Sequence, residues 1–78
     1  SAAKKGSKIN IGNTVTVEMN GAERVFTIVG GAESNVAAGK ISNLSPVGQA
    51  LLGSKKGDTV TAVGPNGRET QIKILSFK

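Results

Sequence analysis

The sequence predicts an α+β domain, with an antiparallel β-sheet of two hairpins plus a connecting strand and one short helix packed on its apolar face. Val15 and Val17 alternate with Thr14, Thr16 and Glu18, which is the period of a half-buried strand. Asn20-Gly21 and Gly64-Pro65-Asn66-Gly67 each stand where two β-rich runs need a reversal. Ser45-Pro46 opens a stretch with helical spacing.

Taken in order, residues 1 to 8 mix small and charged side chains without apolar periodicity, and they read as a flexible linker or a remnant of preparation. The domain then occupies residues 9 to 78. No initiator Met precedes this linker-like start, which favours a piece of something longer. The alternation from Asn13 marks the first strand, Asn-Gly readily takes the φ > 0 conformations of a tight hairpin loop, and the run Val25-Phe26-Thr27-Ile28-Val29 returns. Gly30-Gly31 ends that strand. The polar segment to Gly39 is a surface loop longer than the usual roughly 4 to 6 residues, and loops of that length often carry function.

Lys40-Ile41-Ser42 is a short strand leading into a helix. Ser45 suits the N-cap because its hydroxyl can accept from an orphan backbone N–H, and Pro46 suits the first helical position, where its missing donor costs nothing. Val47, Ala50 and Leu51 fall on one helical face, and Gly53 supplies a stop after Leu52. After the Lys55-Lys56-Gly57-Asp58 turn, Thr59 to Val63 forms a strand, and the Gly64–Gly67 reversal leads into Arg68 to Phe77. Ile72 and Ile74 share one face while Leu75 and Phe77 have the other parity, so the last strand changes environment or carries a bulge.

Composition closes several function classes. A chain of 78 residues allows one domain and buries only about 60% of its unfolded surface, so its core must be compact. With no Cys and no His, it has no thiolate or imidazole for metal binding, nor the usual general base. No apolar run approaches the roughly 20 residues of a membrane span, and no signal peptide is recognisable, which gives a soluble, cytoplasmic expectation. The net charge of +5 falls when Lys4, Lys5 and Lys8 are set aside, leaving seven basic residues against five acidic. Single-strand binders add aromatic platforms to a basic groove, whereas this chain has only Phe26 and Phe77, so nucleic-acid contact is expected to be weak at most.

A family resemblance enters at specific residues. Val25-Phe26-Thr27-Ile28-Val29-Gly30, Gly39-Lys40-Ile41-Ser42, the run Ser45-Pro46-Val47-Gly48-Gln49-Ala50-Leu51-Leu52-Gly53, then Lys56-Gly57-Asp58-Thr59-Val60 and Gly64-Pro65-Asn66-Gly67 resemble, in order and spacing, the C-terminal domain of bacterial Gre-type transcription elongation factors. That resemblance implies an FKBP-like fold that binds the largest-subunit coiled coil at the rim of the RNA polymerase secondary channel. It also implies an N-terminal helical hairpin, absent from these residues, whose acidic tip helps hold a Mg²⁺ ion in the polymerase and stimulates transcript cleavage. This chain is then expected to dock without being an enzyme, as a monomer with no cofactor and no metal of its own. Its acidic residues Glu18, Glu23, Glu33, Asp58 and Glu69 are scattered.

The resemblance marks Ser42, Asn43, Leu44, Ser45 and Pro46 as the partner-binding junction. Family members commonly carry Asp or Asn before Ser-Pro, where this chain has Leu44, so the polar contact expected there is missing or replaced by an apolar one. The loop from Gly31 to Ala38 keeps Glu33 but has Ala32 and Asn35 where acidic residues are usual. Two other classes compete. A prolyl isomerase would need a pocket lined by several aromatics. A KOW or SH3-like nucleic-acid-binding β-barrel is the alternative suggested by Lys55-Lys56-Gly57-Asp58-Thr59-Val60, whose lysines could contact phosphate.

Overall fold

A computed structural model describes residues 8–31 and 35–78. The alternating residues form β1 (Thr14–Met19), with Val15 and Val17 fully buried on its inner face. Asn20 and Gly21 both adopt positive φ, 53° and 78°, as a two-residue hairpin loop with the twist of its strands requires. They deliver the chain into β2 (Ala22–Val29), in register from Met19↔Ala22 to Thr14↔Thr27. At the open end of the hairpin the Thr14 and Thr27 hydroxyls lie 3.0 Å apart.

The second hairpin pairs β4 (Thr59–Val63) with β5 (Glu69–Phe77), and β5 also pairs antiparallel with β1. Between Thr16↔Ser76 and Val17↔Ile74 the register shifts, so Leu75 is the extra residue of a bulge. The shift reconciles the two parities read in the sequence: Ile72 and Ile74 point into the core before the bulge, and Phe77 points into it afterwards.

The connecting strand, β3 (Lys40–Ser42), pairs with β2 in parallel, Thr27↔Lys40 through Val29↔Ser42, so the sheet is mixed where an antiparallel arrangement was expected. The long segment after β2 is the reason, because a return in the same direction needs a crossover that no tight turn supplies. A 3₁₀ turn at Val36–Ala38 and paired backbone bonds between Asn35 and Lys40, 2.8 and 2.9 Å, tighten its end.

The strand order is β3-β2-β1-β5-β4, which leaves β3 and β4 at the edges. The helix α1 (Pro46–Leu51) packs against both, so it bridges the two edges of the curled sheet and shields strands that would otherwise be open to pairing. A KOW-type barrel closes by strand pairing instead. Leu51 inserts from the helix between Ile41 of β3 and Ala62 of β4 into a cluster with Ile28, Ile72 and Ile74, while Val47 and Ala50 pack half-buried beside it. Ile9 is also fully buried, held by Ile9 N–H to Ser54 O and Gly53 N–H to Ile9 O, both 2.9 Å. The linker reading of residues 1 to 8 falls outside the described residues except at Lys8.

In a core this small each large aliphatic residue is a sizeable fraction of the total stability. Ile28→Ala is expected to cost about 2–5 kcal/mol, read as a fall in the urea midpoint at unchanged slope.

Candidate functional site

The five residues singled out in the sequence fold into one tight turn between β3 and α1. Asn43 N–H continues the sheet by donating to Val29 O at 2.9 Å, and Asn43 Oδ1 accepts from Gly31 N–H at 3.0 Å, tying the turn to the end of β2. Ser42 Oγ accepts from Leu44 N–H at 3.0 Å. Ser42 O accepts twice, from Ser45 N–H at 3.1 Å and from Ser45 Oγ at 2.7 Å. Ser45 Oγ in turn accepts from Gly48 N–H at 3.1 Å, the expected N-cap bond, with Ser45 extended at φ −72° and ψ 157° and Pro46 at the start of the helix.

This network is possible only because α1 sits hard against β3. A Cβ on Gly48 would lie 2.1 Å from Ser42 O and 3.0 Å from Ser45 Oγ, and the nearer atom is main chain that cannot move aside. Gly48 is itself buried. Its role crosses elements, so a one-dimensional reading sees only a residue with poor helix propensity.

Three side-chain oxygens of the junction are held by backbone N–H groups, and its most exposed side chains are apolar. Ser42, Asn43 and Ser45 are half-buried, Pro46 is exposed, and Leu44 at 68% exposure is the most exposed large apolar residue described. Beside it opens a cavity of about 370 Å³, bordered by Phe26 and Ile41 of the sheet, Pro46 and Val47 of the helix, and Ala62 at the end of β4. Ser45 of the junction borders it too, and Gly64, Asn66, Arg68 and Thr70 complete the border from the β4–β5 turn and the start of β5. Sequence reasoning missed this cavity. Phe26 shares inward parity with Ile28, and Val47 lies on the helix's apolar face; together these gave a partial signal, but only the fold brings the β4–β5 turn across to meet them.

Phe77 does not join Phe26 there. It is buried in the core and borders a separate hollow with Thr14, Thr16, Val25, Ser76 and Lys78. Of the loop residues weighed for electrostatic docking, Asn35 is exposed, while Ala32 and Glu33 lie outside the described residues. Among the described residues no cluster of acidic side chains could hold a metal ion, and no helix is long and apolar enough to cross a membrane. What the junction and cavity offer is shape and apolar surface, with Arg68 and Asn66 as polar groups at the border.

The junction's two internal supports should separate in magnitude. Ser45→Ala is expected to lose about 0.5–2 kcal/mol through the cap. Gly48→Ala should cost about 1–3 kcal/mol or more by overpacking, despite alanine's higher helix propensity. Thermal melts of the two variants check both.

Residues 3–78 match the family model described as "Transcription elongation factor, GreA/GreB, C-term". The chain is 49% identical over 73 residues to the transcription elongation factor GreA of Macrococcus caseolyticus, covering 91% of this chain and 46% of the relative. Against GreA of Streptococcus sanguinis it is 47% identical over 73 residues, covering 91% and 45%. It thus spans less than half the length of these curated relatives. Among solved structures it resembles Thermus aquaticus Gfh1, with a TM-score of 0.74 at 32% identity over 88% of this chain and 46% of that one. It also resembles the prokaryotic transcription elongation factor GreA/GreB from Nitrosomonas europaea, with a TM-score of 0.70 at 29% identity over 90% and 59%.

Proposed function

The chain belongs to the family of GreA/GreB C-terminal domains of transcription elongation factors, and from that premise we propose that it docks its parent factor on bacterial RNA polymerase through the Ser42–Pro46 junction. Factors of this family act with RNA polymerase. The partner surface in the proposal is the largest-subunit coiled coil at the rim of the secondary channel. The domain grips as a monomer and breaks no bond itself, and any stimulation of transcript cleavage belongs to other parts of the factor.

The observation that supports this reading most is the pre-satisfied turn. Ser42 Oγ, Asn43 Oδ1 and Ser45 Oγ each accept a hydrogen bond from the domain's own backbone, so Leu44 and Pro46 are presented on a fixed backbone that need not be ordered on binding. Preorganisation of this kind spares the entropy that a flexible loop would lose on association. Leu44 is exposed, so this contact gains by desolvating hydrocarbon. The neighbouring cavity can accept an aliphatic side chain of the partner, with Arg68 at its border for a nearby carboxylate.

Retention on immobilised bacterial core polymerase tests the proposal. The chain should be held at micromolar concentration, and Leu44→Asp should weaken retention about tenfold or more. Because Leu44 is exposed, that variant should melt like the parent. No retention under conditions that hold an intact Gre factor would contradict docking, and full retention of Leu44→Asp would move the contact elsewhere.

A further inference from the structure

We propose that Lys8, Lys55 and Lys56 form a second surface, one that contacts the phosphate backbone of nucleic acid without reading sequence. In the sequence these lysines belong to two unrelated stretches, the basic opening and the turn before β4. The fold brings them together. Ile9 N–H donates to Ser54 O and Gly53 N–H donates to Ile9 O, each at 2.9 Å, so Lys8 and Lys55 are the immediate chain neighbours of a hydrogen-bonded pair. Lys56 follows directly, and all three side chains are exposed.

The charges around this surface leave it positive. Asp58 is the nearest carboxylate in the chain; its Oδ2 accepts from the Lys55 backbone N–H at 2.9 Å, which shapes the turn, and its single negative charge leaves the three exposed lysines in excess. Lys73, opposite Thr59, also has Glu18 as its register neighbour across β1 and β5, so a carboxylate stands beside that position and Lys73 is not counted. Glu23 pairs with Glu18 on the first hairpin, and Glu69 begins β5 opposite Val63, at the other end of the β4–β5 hairpin from Thr59.

Lysine is a compact, strongly hydrated point charge, suited to phosphate oxygens and poor at the bidentate readout that arginine gives. Neither Phe26 nor Phe77 belongs to this surface, so base stacking contributes nothing and the contact is purely electrostatic. Such a surface gives weak, salt-sensitive binding, with a dissociation constant of roughly 10⁻⁴ to 10⁻⁶ M at physiological salt. It lies apart from the Ser42–Pro46 junction in the chain and does not depend on polymerase docking.

Fluorescence anisotropy with a short labelled DNA duplex of arbitrary sequence, from about 50 to about 200 mM salt, tests the proposal. At about 0.9 per phosphate contacted, the three lysines predict a slope of log affinity against log salt near −2.7. Lys55→Gln with Lys56→Gln should reduce the slope to about −0.9, and Lys8→Gln alone should reduce it by about 0.9. Arg24→Gln with Lys40→Gln, on β2 and β3, removes equal charge elsewhere and should leave the slope unchanged. The bond from Lys55 N–H to Asp58 is main chain and survives these changes, and matching melts confirm the fold. Absence of binding at the lowest salt would overturn the proposal. So would a parental slope in the Lys55/Lys56 variant, or displacement of the duplex by polyglutamate as effectively as by unlabelled duplex.

Discussion

The close approach of Gly48 to the Ser42 carbonyl is the contact on which this fold and its candidate site both depend. A five-stranded sheet with edges at β3 and β4 leaves two rows of backbone groups and an apolar interior unprotected. A single helix of six residues closes the gap, and it is too short to be stable by itself. It holds because it can seat directly on the β3 end, where any side chain at position 48 would meet main-chain oxygen. From that seat Leu51 reaches the core, and Ser45 can serve at once as N-cap and as donor to Ser42 O.

The same packing sets the character of the surface. A turn whose backbone N–H groups and side-chain oxygens are bonded internally is held in one shape, and Leu44 and Pro46 stand exposed on it. The adjoining cavity lies where the helix begins, with Phe26 of the sheet and residues of the β4–β5 turn among its borders. Toward the end of α1, the pairing of Ile9 with Gly53 and Ser54 anchors the entering chain and gathers basic residues. One short helix therefore has an apolar face near its start and a charged face just beyond its finish.

Local rules carried much of this architecture into the sequence. The paired positive φ values at Asn20 and Gly21, the alternation of Val15 and Val17, and the Ser45-Pro46 helix start are each decided within a few residues, so pattern and propensity are enough to find them. The parity conflict between Ile74 and Phe77 announced a bulge or a change of environment, and the choice of a bulge at Leu75 depends on the register with β1. The parallel direction of β3 was not legible, because a short strand carries no mark of its neighbour's direction. The junction residues were legible as a motif, and their inward hydrogen bonding was not. The cavity and the convergence of Lys8 with Lys55 and Lys56 depend on contacts between distant segments, which no local signal encodes.

Whether the junction is formed before any partner arrives is tested most directly by native-state amide hydrogen exchange. The informative amides are Asn43, Leu44 and Gly48, bonded to Val29 O, Ser42 Oγ and Ser45 Oγ. A preformed platform predicts that they exchange with opening free energies close to that of Ile28 N–H, which donates to Asn13 O at 3.0 Å just before the start of β1. Exchange of the three at the rate of exposed, unbonded amides would mean that the turn opens freely, and would contradict a rigid docking surface.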